Sequence, residues 1–81
     1  MQVTVTVNRG LHLNGKPVNF SRKKQEMEFT GTTVLELMIK MGLDPEQTGL
    51  ILINGRTVLE PEEKEVNLED HLEFYPLMMG G

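Results

Sequence analysis

Gly31-Thr32-Thr33-Val34-Leu35-Glu36-Leu37-Met38-Ile39-Lys40-Met41-Gly42 carries a helical period, and it lies between segments that alternate as strands do. Val34, Leu37, Met38 and Met41 fall at i, i+3, i+4 and i+7, one apolar stripe suited to packing on a sheet. Leu35 and Ile39 form a second apolar row that the stripe does not require. Thr32 or Thr33 can cap the first turn by accepting a hydrogen bond from a free N–H. Glu36, three residues after Thr33, completes the capping-box pattern. Gly42 suits the left-handed residue that ends a helix, and Pro45 stops it from continuing. One helix among strand-like segments implies an α+β fold with the helix on one face of a sheet.

Working towards the start of the chain, residues 24 to 30 alternate, with Gln25, Met27 and Phe29 set against Glu26, Glu28 and Thr30. Met27 and Phe29 are expected inward. Residues 2 to 7 alternate strictly, Val3, Val5 and Val7 against Gln2, Thr4 and Thr6, a strong strand signal in β-branched residues. Between them, residues 8 to 23 read as a loop. Within it, Asn14-Gly15 between Leu11/Leu13 and Val18/Phe20 can close a short type I′ hairpin, and Pro17, lacking an N–H, would hold that arm at an edge.

Working towards the end, Leu50-Ile51-Leu52-Ile53, Asn54-Gly55 and Thr57-Val58-Leu59 make the clearest hairpin, because Asn-Gly tolerates the positive φ angles of a type I′ turn. The 50–53 segment is apolar on both faces. With one helix to cover one face, half of this strand should be exposed unless a loop lies over it. Residues 60 to 67 form an acidic loop, Asn67 to Asp70 a turn, and residues 72 to 76 the last strand, with Leu72 and Phe74 inward and Glu73 and Tyr75 outward. The domain is thus expected over residues 1–76, followed by a flexible tail over 77–81.

A chain of 81 residues holds one domain that buries roughly 60 to 65% of its unfolded surface, with no room for a core and a deep catalytic cleft. Without cysteine it has no disulfide, thiol nucleophile or cysteine metal site. His12 and His71 stand far apart with no partner at ligand spacing, so no metal is expected and each histidine reads as a solvated surface residue. The net charge of −4 argues against nucleic acid. Seven acids between Glu60 and Glu73 face the single base Lys64, a skew that suits docking to a basic surface, and these acids are expected to rim the apolar patch made by the exposed members of 50–53 with Tyr75 and Leu77. Met1-Gln2-Val3-Thr4 offers no charged leader or long apolar run, so neither export nor membrane insertion is expected, and a cytoplasmic protein is.

The closing residues Phe74-Tyr75-Pro76-Leu77-Met78-Met79-Gly80-Gly81 run from an apolar strand end through one proline into two glycines. Taken as a chain terminus, two glycines bury no side chain and hold little structure. They offer a thin backbone and an unhindered carboxylate. An enzyme that draws a carboxylate through a narrow channel to make an acyl-adenylate requires residues without a Cβ there, so the tail reads as a substrate for activation.

The order strand, connector, strand, helix, hairpin and final strand lets the first and last strands lie parallel in the centre of the sheet, the arrangement called a β-grasp. With Gly31-Thr32-Thr33-Val34, Leu37, Met38, Met41, Gly42-Leu43, Leu52-Ile53-Asn54-Gly55, Leu68-Glu69-Asp70 and the Pro76–Gly81 tail in this order, the chain resembles the ubiquitin-like sulfur carriers. Among them are the small subunit of molybdopterin synthase and the sulfur carrier of thiamine synthesis. The tail is more similar to the first, and Asn14-Gly15-Lys16-Pro17 to the opening hairpin of the second. The resemblance implies a ubiquitin-like β-grasp, a mixed sheet of four to five strands with one main helix on one face.

It further implies a protein that is itself no enzyme, though it could be the small subunit of a synthase. A ubiquitin-activating-type partner would use ATP and Mg²⁺ to adenylate Gly81. A sulfur-donor protein would convert it to a thiocarboxylate, and a downstream synthase would take the sulfur for molybdopterin, thiamine, thiolated tRNA or a related product. Pro76, Leu77, Met78, Met79 and Gly80 would thread the partner's channel, while Ile51, Ile53 and Tyr75, with Leu77, would dock. No cofactor is expected to stay bound. Two other readings stay open: a protein modifier conjugated to lysines through Gly81, and a non-covalent β-grasp module.

Overall fold

The computed structural model describes residues 1–19 and 23–77. Strand β1 (Gln2–Val7) is followed by the two-residue strands β2 (His12–Leu13) and β3 (Lys16–Pro17), then β4 (Lys23–Glu28) and helix α1 (Val34–Met41). A 3₁₀ turn (Pro45–Gln47), β5 (Thr48–Ile53), β6 (Arg56–Thr57) and β7 (His71–Pro76) complete the order. Five strands form a mixed sheet ordered β4-β1-β7-β5-β6, and β2 and β3 form a separate ribbon. β1 and β7 run parallel at the centre, while β4 on β1, β5 on β7 and β6 on β5 are antiparallel. The described residues form an α+β fold with one α-helix on one face of a mixed five-stranded sheet, a layout consistent with a β-grasp.

The helix forms where its local signals put it. Thr33 accepts from the Glu36 amide (3.2 Å), while Glu36 Oε1 accepts from the Thr33 and Thr32 amides (2.9 and 3.1 Å). Gly42 takes the left-handed conformation (φ 82°), with its N–H on the Ile39 carbonyl and that of Leu43 on Met38. Two more N-terminal amides are satisfied from far along the chain. Val34 N–H donates to the Lys64 carbonyl and Leu35 N–H to that of Pro61, both at 2.9 Å. The acidic loop thus caps the helix with its backbone.

Val34, Leu37 and Met38 bury one stripe of α1 against Val3, Val5 and Val7 of β1, Leu72 and Phe74 of β7, and Phe29. Met41, at the end of the stripe, and Leu35 are half-buried, and Ile39 is exposed. Thr6, on the other face of β1, is buried as well, with Oγ1 2.9 Å from His71 Nε2. The outward face of β1 is covered progressively along the strand, from an exposed Gln2 through a half-buried Thr4 to Thr6. His71 is therefore half-buried, and so is His12, contrary to the expectation of solvated histidines. His12 lies in the ribbon, its Nδ1 enclosed without a hydrogen-bond partner among the described residues.

The connector is structured around its Asn-Gly turn. Asn14 (φ 54°) and Gly15 (φ 81°) both take positive φ, as a type I′ turn requires, and β2 pairs antiparallel with β3. Leu11 and Val18 close the ribbon's base and enter the core, with Val18 N–H donating to the Leu11 carbonyl (2.7 Å). The ribbon docks on the end of α1, where Asn14 N–H meets the Gly42 carbonyl (2.7 Å). At the second Asn-Gly turn, the two-residue loop pairs Ile53 directly with Arg56. β6 is consequently Arg56–Thr57 rather than residues 57 to 59, and Leu59 projects into solvent.

Candidate functional site: the end of the central strand and the face beside it

β7 enters the sheet beside the Asn54-Gly55 turn, where Asn54 Oδ1 accepts from the His71 amide (3.0 Å) and Asp70 Oδ1 accepts from Asn54 Nδ2 (2.9 Å). It leaves at the opposite end, beside Val7, Asn8 and Thr48. Three contacts hold this exit. Asn8 Nδ2 donates to the Phe74 carbonyl (2.7 Å). Gly10, at φ +100°, leaves room for the Pro76 ring, since a Cβ on it would lie 3.0 Å from Pro76 Cγ. Gly49 is the extra residue of a bulge in β5: Thr48 pairs with Pro76 and Leu50 with Tyr75, so Gly49 has no partner on β7.

The register decides which side chains border the exit. Ile51 stands opposite Phe74 and Ile53 opposite Leu72. All four face the helix, Ile51 being 7% exposed and Ile53 5%. The expectation that Ile51 and Ile53 form a docking surface is therefore corrected, because an inward Phe74 and Leu72 bring their cross-strand partners inward with them. The outward pair is Leu50 and Leu52, opposite Tyr75 and Glu73. Leu50 is 41% exposed and Leu77 44%, while Leu52 and Tyr75 are half-buried. Tyr75 faces outward as expected, and its hydroxyl donates to Glu73 Oε2 (3.1 Å). Pro76 closes the strand and Leu77 follows it. Met78, Met79, Gly80 and Gly81, with the threading and activation roles expected of them, lie outside the described residues.

The acids do not rim this face as their position in sequence implies. Glu73 alone of the seven sits between the outward strands, beside Leu52 and Thr6. Residues 60 to 65 run past the start of α1, at the end of the sheet away from the exit. There Glu60, Glu62 and Glu63 are exposed and bring carboxylate oxygens within 4.8 Å of one another. Hydrogen bonding to Glu63 pushes the Glu60 carboxyl up, helped by desolvation and the charge of Glu62. Oxygen donors of this kind suit a hard cation held through water. An open depression of about 400 Å³ lies nearby, lined by Ile53, Arg56, Val58, Leu59 and Lys64 among others. Neither feature adjoins the end of β7.

Asn8, Gly10 and Gly49 escape sequence reading. Asn8 follows a strand as many loop residues do, and the need for glycine at 49 arises from Pro76, far along the chain. Among the described residues no helix is long and apolar enough to cross a membrane. Comparison with protein-family models, with curated proteins and with solved structures finds no match for this chain.

Proposed function

We propose that the chain is a ubiquitin-like β-grasp sulfur carrier, activated at the carboxylate of Gly81. The observation that carries this reading is the placement of β7. The strand that leads into Pro76-Leu77-Met78-Met79-Gly80-Gly81 is the central one of the sheet, parallel to β1, and it ends beside an outward apolar surface of Leu50, Leu52, Tyr75 and Leu77. A rigid strand presents the segment, and the surface beside it gives a partner something to grip. The fold supplies reach and docking, and the partners supply the chemistry.

The reaction has two parts. A ubiquitin-activating-type enzyme joins the Gly81 carboxylate oxygen to the α-phosphorus of magnesium-bound ATP, and pyrophosphate leaves. With hydrosulfide as nucleophile, a carbon–sulfur bond then forms at the carbonyl as the bond to the AMP oxygen breaks, and AMP departs with the electron pair. A protein persulfide in that role gives an acyl disulfide; a second thiolate of the donor then attacks the donor's cysteine sulfur, the S–S bond breaks to release the thiocarboxylate, and the donor is left as a disulfide. Either route leaves a nucleophilic sulfur on Gly81 for a synthase. The mechanism requires Gly81 to bear the free carboxylate and asks no residue of this chain to move a proton.

Intact mass spectrometry after incubation with the adenylating enzyme, ATP, magnesium and sulfide tests the proposal. The expected result is a gain of one sulfur-for-oxygen exchange, abolished when one alanine is added after Gly81. A chain that no ATP-dependent activator charges is not a carrier. Conjugates on other proteins that vanish when Gly81 is deleted would assign the chain as a modifier instead. Binding that survives the added alanine, with no charging, would leave a non-covalent module.

A further inference from the structure

Gly49 sits in β5 with no left-handed φ, unlike Gly10, Gly15, Gly42 and Gly55, whose φ values lie between 81° and 100°. Its backbone is one that any residue adopts. What it lacks is space. A Cβ there would lie 2.6 Å from the Pro76 carbonyl oxygen, 2.9 Å from Leu77 Cα and 3.1 Å from the Pro76 carbonyl carbon. These are backbone atoms, so no side-chain rotation relieves the overlap, and the chain at Pro76–Leu77 would have to move. The bulge at Thr48/Leu50 sets Gly49 against this exit, while Asn8 holds the Phe74 carbonyl and the Pro76 ring rests over Gly10 on the other side.

We infer that Gly49 is a positioning residue for the exit of β7: its missing side chain lets the chain leave β7 pressed against β5, and this fixes where the backbone of Pro76 and Leu77 lies. The inference deepens the carrier reading, which supplies the use of that placement: a fixed Pro76–Leu77 from which a carboxylate at Gly81 would be delivered into a partner's channel while Leu50, Leu52 and Tyr75 dock. The bulge has a matching purpose. It places a residue without a Cβ where β5 meets the backbone of the departing strand.

Gly49→Ala tests this, with Gly55→Ala as the control. Gly55 has φ +82° and nothing within 4 Å of its Cβ position, so alanine there strains a turn at the far end of β5 without touching the exit of β7. In nuclear Overhauser spectra the wild-type chain should give contacts from Gly49 to Leu77 and from Thr48 to Pro76. In G49A the Thr48–Pro76 contact should be lost while Leu50–Tyr75 persists, and in G55A all should persist. Retention of the Thr48–Pro76 contact in G49A, with unchanged residual dipolar couplings at Leu77, overturns the inference whatever charging shows.

In charging followed by intact mass, G49A should keep KM within about twofold and lose kcat by up to about a hundredfold, the scale expected when a reacting group is misplaced by about 1 Å. Wild-type kcat in G49A, or an equal loss in G55A, also overturns it. A wild-type chain that is never charged ends the carrier reading, and the contact measurement still decides the positioning of Pro76 and Leu77.

Discussion

Phe74 and Tyr75 are neighbours with opposite duties, since successive residues of a strand face opposite sides. Phe74 is wholly enclosed by the core, whereas Tyr75 stands on the outward face. The same parity separates Leu50 from Ile51. Ile51→Ser opens a core cavity and buries a hydroxyl, and should destabilise by about 3 kcal/mol or more in urea denaturation. Leu50→Ser, on the outward side, should change stability by about 1 kcal/mol or less and, under the proposed carrier function, raise KM in charging by an activating enzyme. If Leu50→Ser charges with unchanged KM, the face beside β7 is not the docking surface. The apolar character of 50–53 on both faces is legible in the sequence. Which face turns inward is not, because the bulge at Thr48/Leu50 sets the register of β5 on β7, and that pairing joins distant segments.

Helix α1 owes its boundaries to signals in its own sequence. Thr33→Ala removes the side-chain acceptor for the Glu36 amide and should cost about 1 kcal/mol in thermal or urea unfolding. Glu36 answers from the other side of the same cap. Its carboxyl is held below the ordinary 4.5 first by the Thr33 amide, then by the Thr32 amide, with a smaller contribution from the Thr33 hydroxyl. A carboxyl whose folded pKa is depressed stabilises the fold above its unfolded pKa, and that contribution is lost as pH falls through the folded value. Wild type should therefore exceed Glu36→Gln in stability at neutral pH, with the gap closing as pH falls from about 4.5 through the lowered folded value. A gap that is constant with pH would show that the carboxylate charge is not what the cap uses.

The capping box and both Asn-Gly turns are legible in the sequence because each is a contact between residues close along the chain. The backbone cap that Pro61 and Lys64 place on Leu35 and Val34 is not, since it joins segments that only the folded chain brings together. The same holds for the acidic loop as a whole. Its position in sequence suggests a rim around the last strand, yet its carbonyls are committed to the start of α1, and its carboxylates follow them there.

At the scale of the molecule, the described residues have a radius of gyration of 11.7 Å, close to the roughly 12 Å expected of a folded domain of this length. Its plan puts the helix, the ribbon and the acidic loop on one side or at the ends of the sheet, and leaves the outward face beside β7 open at Leu50 and Leu77. One alanine added after Gly81 should leave the unfolding midpoint unchanged while abolishing charging. A shifted midpoint would mean that the end of the chain belongs to the folded body. By itself, the sequence determined the elements: alternating valines made a strand, a capped apolar stripe made a helix, and Asn-Gly made turns, because each depends on neighbours a few residues away. The tertiary structure alone decided that Leu50 and Leu52 rather than Ile51 and Ile53 face outward, that the acids of the 60–65 loop gather away from the exit, and that Gly49 must be bare. Those outcomes depend on register and close approach between distant segments, which no local pattern encodes.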